Sequence, residues 1–126
     1  MATLADAFAG AATREGIDLA FRLTDGPALD DVADLWVSAG CPEDQRRSRI
    51  LGMGAYVGEV LVRSAGGRWD LSPTGDPGVA LTSTFMCFPL NKVGKRLSLG
   101  PEHSIAAFLE VAAQGPLPRE ELRRMT

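Results

Sequence analysis

The stretch GAYVGEVLVRSAGGRW, residues 54–69, decides the fold, because it joins a strongly apolar helical pattern to the first predicted strand. That pattern covers residues 43–65: Glu43 and Asp44 place acids in its first turn, and Gly66-Gly67 ends it. At about 100° per residue, apolar side chains cover most of the helix circumference. We therefore predict a long central helix that other elements cover on most sides.

Three short β-strands are predicted after this helix, at residues 68–71, 78–82 and 84–88. The connections between them are too short for parallel crossovers, so an antiparallel sheet packed on the long helix is expected. Residues 17–23, IDLAFRL, alternate apolar and polar side chains. This alternation favours an extended segment that could add one more strand.

Further helices are expected around this unit, which makes the predicted fold a single α+β domain over residues 1–126. Residues 2–14 are expected to form a loose N-terminal helix, and residues 115–126 a charged tail. Proline and glycine predict three more helices, starting at Pro27, Pro89 and Pro101 and ending before Gly40, Gly100 and Gly115.

The composition is that of a globular chain and argues against several function classes. Of 126 residues, 45% are hydrophobic, and a net charge of −3 offers no basic excess for specific nucleic-acid binding. No apolar run approaches the roughly 18 residues of a membrane span, and the N-terminus lacks a secretory pattern. We expect a cytoplasmic protein with no membrane partner. The excess of Arg over Lys, with abundant Ala and Gly, indicates a GC-rich bacterial genome.

The sequence contains few of the residues that catalysis and metal binding require. The single histidine, His103, must serve any Ser-His or Cys-His arrangement. Cys41 and Cys87 show no metal-ligand spacing with it, and no phosphate-binding glycine loop opens a helix after a strand. We expect no metal and no cofactor, and we predict that both cysteines are reduced thiols.

One polar stripe interrupts the apolar surface of the predicted long helix, with Tyr56, Glu59 and Arg63 as its side chains. Glu59 and Arg63 stand at the i, i+4 spacing that favours a helical ion pair. A structural ion pair is one interpretation. The other is a polar functional site made from this stripe and extended by Arg68 and Trp69.

Three glycines lie inside the same predicted helix, at positions 52, 54 and 58. Each costs about 1 kcal/mol of helix stability relative to alanine. Such a loss is typical of a helix that another element approaches closely, so we predict tight packing against this surface.

Lys92, Lys95 and Arg96 form the densest cationic cluster in the sequence, on one face of the helix predicted from Pro89. A solvated helix face is one interpretation. A surface for an anionic partner is the other.

The stretch 54–69 also resembles a motif of small bacterial domains of unknown function, approximately G-x-Y-x-G-E-V-[IL]-x-R-x-x-G-G-x-W. In that family a short hairpin, an Asn-Pro turn and a K-V-x-K-R-L helix follow, and the run KVGKRL at 92–97 matches the last of these. Phe88-Pro89 stands where Asn-Pro is expected. The resemblance covers residues 27–113 and implies family membership without implying an activity. The matching residues of the motif are Gly54, Tyr56, Gly58, Glu59, Arg63, Gly66, Gly67 and Trp69.

These observations favour a non-catalytic intracellular bacterial protein that acts through protein contacts, of a regulatory or immunity type. The expected partner is a protein, and a homodimer is an alternative assembly. The alternative function is a small ligand-binding domain or enzyme that uses Tyr56, Glu59 and Arg63.

Overall fold

The computed structural model describes residues 1–82 and 85–114, which form five α-helices and one three-stranded sheet that packs against two of them. This confirms the predicted α+β fold with a long central helix. The helices are α1 (Ala2–Arg14), α2 (Gly26–Ala39), α3 (Glu43–Ala65), α4 (Pro89–Leu99) and α5 (Ile105–Gln114), and the strands are β1 (Arg68–Leu71), β2 (Pro77–Ala80) and β3 (Met86–Cys87). The predicted charged tail, 115–126, lies outside the described residues.

The central helix, α3, has the predicted bounds. It begins after Pro42 and ends where Gly66 adopts the left-handed conformation, with φ of 73°. The Gly67 N–H donates a hydrogen bond of 3.0 Å to the Leu61 carbonyl, which completes the C-terminal cap. Every residue from 53 to 61 is buried. The core of the molecule therefore lies around the second half of α3.

The sheet is antiparallel in the order β1-β2-β3, as predicted. Trp69 of β1 pairs with Val79 of β2, and Val79 pairs with Cys87 of β3. Val79 is fully buried and Cys87 nearly so, which places this row of the sheet against the core. The third strand is shorter than predicted, and Thr84, where its prediction begins, lies outside the described residues.

Residues 17–23 do not form a strand, so that prediction is wrong. The segment is irregular and leads into a short 3-10 turn at Leu23–Asp25. Its backbone groups are bonded to side chains instead: the Phe21 N–H donates to the Tyr56 hydroxyl, and the Phe21 carbonyl accepts from Ser64. Because these partners come from α3, no neighbouring strand is needed.

Two helix predictions also need correction, one for the packing of the N-terminal helix and one for the start of the last helix. The N-terminal helix is not loose: α1 packs along α3, and Ala5, Ala9 and Ala12 are buried at helical spacing. The last predicted helix does not start at Pro101, because Pro101–His103 form a separate 3-10 turn and α5 starts at Ile105.

Close packing against the glycines of α3 is confirmed at two of the three positions. A Cβ atom at position 54 would lie 2.9 Å from the Cα atom of Leu90, so the backbone of α4 passes directly over Gly54. At position 58, a Cβ atom would overlap the indole ring of Trp69. Gly52 differs, because a Cβ atom there would meet only the Phe8 ring, at an ordinary 3.5 Å. None of the helices in the described part of the chain is long and apolar enough to cross a bilayer.

Candidate functional site

The predicted polar stripe of α3 is largely covered by α1 and residues 17–25: Tyr56 and Glu59 are buried, and Arg63 is exposed. Tyr56 is fully buried, with its ring against Phe8 and Phe21. Its hydroxyl donates to Oδ2 of Asp25 at 2.5 Å and accepts from the Phe21 N–H at 2.8 Å. The Tyr56 hydroxyl thus both donates and accepts a hydrogen bond inside the fold.

Asp25 is the buried partner of Tyr56 that sequence reasoning missed. Its carboxylate also accepts from the N–H groups of Ala20 and Arg22 and from Nε of Arg22, at 2.9–3.1 Å. Burial raises the pKa of this carboxyl, but the hydrogen bonds outweigh burial and hold the pKa below its ordinary value. Burial also raises the pKa of Tyr56, and the hydrogen bond to Asp25 adds to the rise. The one signal in the sequence that could have identified Asp25 is its i, i+3 spacing from Arg22, just before the Gly26-Pro27 turn.

Glu59 is paired with Arg63, as the i, i+4 spacing predicted, and is itself only 6% exposed. Its Oε2 accepts from Nε of Arg63 at 3.1 Å, and its Oε1 accepts from Nε1 of Trp69 at 2.9 Å. The Arg63 guanidinium lies 3.8 Å from the centre of the Phe21 ring and reaches Asp6 at 3.4 Å. One carboxylate oxygen of Glu59 therefore attaches β1 to α3 through Trp69, and the other pairs with Arg63 of the same helix.

Arg68 does not join this cluster. It is exposed on β1, where its Cα pairs with Ala80, and no hydrogen bond or ion pair within residues 1–82 and 85–114 connects it to Glu59. Four of the five residues of the predicted site thus belong to a structural network around buried Tyr56 and Glu59, and Arg68 lies outside it.

Arg96 is not part of a solvated cationic face, so this prediction is wrong as well. The side chain is 2% exposed and points toward α2, where Nε donates to Asp30 at 3.0 Å and Nη2 donates to Asp34 at 2.5 Å. Asp30 in turn accepts from Ser104 and from the N–H groups of Ile105 and Ala106, at 2.9–3.0 Å. Ser104 caps α5 by accepting from the Ala107 N–H at 3.2 Å, and Asp30 of α2 binds the first two N–H groups of α5 and the Ser104 hydroxyl. These bonds satisfy the first turn of α5 and explain why the helix starts at Ile105.

Lys92 and Lys95 remain on the surface, and they line a groove between β3, α4 and α5 that we name the α4 groove. Its volume is about 330 Å³. The lining is otherwise apolar apart from Asn91, and Lys92 is half-buried while Lys95 is exposed. The residues of the α4 groove are Phe85, Met86, Cys87, Phe88, Asn91, Lys92, Lys95, Phe108, Val111 and Ala112.

A second groove lies on the other side of α4 and shares Asn91 and Lys95 with the first. Its volume is about 430 Å³, and Arg46 of α3 lines it. The Arg46 guanidinium donates to the Gly94 carbonyl and to Ser98, and has no carboxylate partner among the described residues. The two grooves beside α4 therefore contain three cations between them, and Lys95 lines both.

No cluster of His, Cys, Asp and Glu among the described residues could hold a metal ion. Comparisons with protein-family models, with curated proteins and with solved structures find no match for this chain. The resemblance to the bacterial motif therefore stays a prediction.

Proposed function

We propose that this chain is a non-catalytic, cytoplasmic bacterial protein that acts by holding a partner protein, with a regulatory or immunity-type role. The observation that carries the proposal is the α4 groove, where Phe85, Phe88 and Phe108 line a concave surface beside two lysines. Neither lysine has an ion pair with another described residue. Concave apolar surfaces with a few polar groups are the usual sites of binding. The resemblance of residues 54–69 to a bacterial motif is consistent with a bacterial origin.

The alternative, a catalytic or ligand site on the α3 stripe, has less support. A catalytic Glu59 would need a free oxygen and a path for substrate, whereas both of its oxygens accept hydrogen bonds from Arg63 and Trp69. Tyr56 is enclosed on α3 and bonded to Asp25. The same side chains are well explained as a structural network, so we assign function to the groove.

The experiment compares the wild-type chain with Val111→Gln, in the wall of the groove. Val111 is 62% exposed, so the substitution leaves the core intact. Val37→Gln is the matched control, because Val37 is also exposed on a helix but lies on α2, outside the groove. A protein retained from cells of the source organism is identified, purified and titrated against all three chains.

We expect the purified partner to bind wild type and Val37→Gln equally and Val111→Gln more weakly. A partner that binds all three chains equally would place the contact surface elsewhere. If no retained protein binds the chain again after purification, the proposal itself is contradicted.

A further inference from the structure

We infer that the α4 groove takes an acidic, apolar segment of the partner, whose carboxylates pair with Lys92 and Lys95. This inference rests on the proposed function and adds the chemistry of the partner. It is carried by the charge distribution around the groove and by the apolar side chains between the charges.

The charge at the groove is of one sign. Lys92 and Lys95 are the two lysines of the chain, and neither has an ion pair among residues 1–82 and 85–114. The described part of the groove lining contains no Asp or Glu, although acids outnumber bases in the whole chain, 16 to 13. Among the described arginines, Arg22, Arg63 and Arg96 are held by carboxylates, whereas Arg46 and Arg68, like the lysines, are not. Within residues 1–82 and 85–114, no carboxylate competes with one from a partner for these two lysines.

The apolar part of the groove sets the second requirement. Phe85, Phe88 and Phe108 line it together with Val111, so a purely polar anion would leave this surface uncovered. Apolar side chains of a partner that fill it would bring neighbouring carboxylates into a partly desolvated region, where ion pairs are screened less by salt.

Two identical chains would fit this surface poorly. A symmetric contact places the same patch of each copy against the other, so a surface whose described charges are Lys92 and Lys95 would meet a second surface of the same sign. Like charges across an interface are unfavourable. A heterologous acidic segment matches both the charge and the apolar lining, and it is the occupant that we propose.

The experiment selects binders from a random-sequence peptide library displayed on phage against the full-length chain, and then titrates one selected peptide by calorimetry. We expect the selected sequences to combine Asp or Glu with large apolar residues. Lys92→Gln and Lys95→Gln should each weaken binding about twofold to fivefold, the factor for an ion pair worth about 0.4–1 kcal/mol. Arg68→Gln is the charge-matched control and should leave binding unchanged.

A charge swap gives the sharpest test. Lys95→Glu should abolish binding of the selected peptide, and a peptide in which the facing acid is changed to lysine should restore it. If Val111→Gln abolishes binding while the substitutions of Lys92 and Lys95 and a change of ionic strength leave it unaltered, the inference is overturned. That result would leave the proposed function standing. Failure to select any peptide sensitive to Val111→Gln would count against both.

Two other occupants have their own signatures, and each would overturn the inference. If the groove holds a second copy, sedimentation will show a dimer that Val111→Gln dissociates. If it holds the chain's own C-terminal residues, replacing Glu120 and Glu121 by glutamine will strengthen binding of the selected peptide.

Discussion

The indole ring of Trp69 occupies the space that a side chain at Gly58 would need. The same ring donates from Nε1 to Glu59, the next residue of α3, at 2.9 Å. The first residues of the sheet are thus attached to the centre of the long helix by one aromatic side chain. Packing and hydrogen bonding at this point depend on the absence of a side chain at position 58.

Gly58→Leu should therefore lower the free energy of unfolding by about 1–3 kcal/mol, although leucine is the better helix former. The substituent must displace Trp69, which also breaks the hydrogen bond to Glu59. Gly52→Ala is the matched control in the same helix, because the added methyl group makes only ordinary contact with Phe8. Thermal and urea melts of both variants decide the matter, since an unchanged midpoint for Gly58→Leu would show that the indole ring does not pack there.

Glu59 and Arg63 should show a coupling energy of about 0.5–1 kcal/mol in a double-mutant cycle of Glu59→Gln and Arg63→Met. The value is modest because the Arg63 side chain is 39% exposed. Neither substitution should change binding of a purified partner at the α4 groove. If Glu59→Gln melts like the parent but loses partner binding, the stripe is functional and the structural assignment is wrong.

Asp30 should be far more important for stability than its neighbour Asp31. Asp30 holds buried Arg96 and the first two N–H groups of α5, so Asp30→Asn is expected to cost about 3 kcal/mol near neutral pH. Asp31 is exposed, and Asp31→Asn should stay within about 0.5 kcal/mol of the parent. Equal stabilities of the two variants in urea melts would contradict the network.

The cost of Asp30→Asn should also depend on pH. Burial raises the pKa of the Asp30 carboxyl, but hydrogen bonds from the N-terminus of α5 and from Arg96 outweigh burial and lower it below the ordinary 3.8. A carboxyl whose native pKa is lowered contributes its full stability above 3.8 and loses it as the pH falls through the native value. The difference between parent and variant should therefore shrink below pH 3.8, and a constant difference would exclude a role for the charge.

The two cysteines should be reduced and unequal in reactivity. Both are free in the structure, but Cys41 is partly exposed, whereas Cys87 is buried and burial raises the pKa of its thiol. A thiol reagent under denaturing, non-reducing conditions should count two groups in fresh protein. In the native protein Cys41 should react first, and protection of Cys87 should increase when the α4 groove is occupied. A count of zero in a fresh monomer would overturn the prediction and the cytoplasmic location.

The sequence by itself determined the elements whose signals are local. The bounds of α3 follow from its first-turn acids and from Gly66, the antiparallel sheet follows from short connections, and the Glu59 to Arg63 pair follows from helical spacing. Each of these depends on residues a few positions apart, so a single stretch of chain contains the whole cause.

Only the tertiary structure decided which polar side chains are buried. The sequence left Tyr56, Glu59 and Arg96 on solvated faces because no neighbour within their own helices covers them. Their partners Asp25, Trp69 and Asp30 come from other elements, and burial of the charged groups is tolerable only when such partners are in place. Residues 17–23 do not form a strand, again because of contacts between distant elements. Side chains from α3 supply the hydrogen bonds that a neighbouring strand would have given.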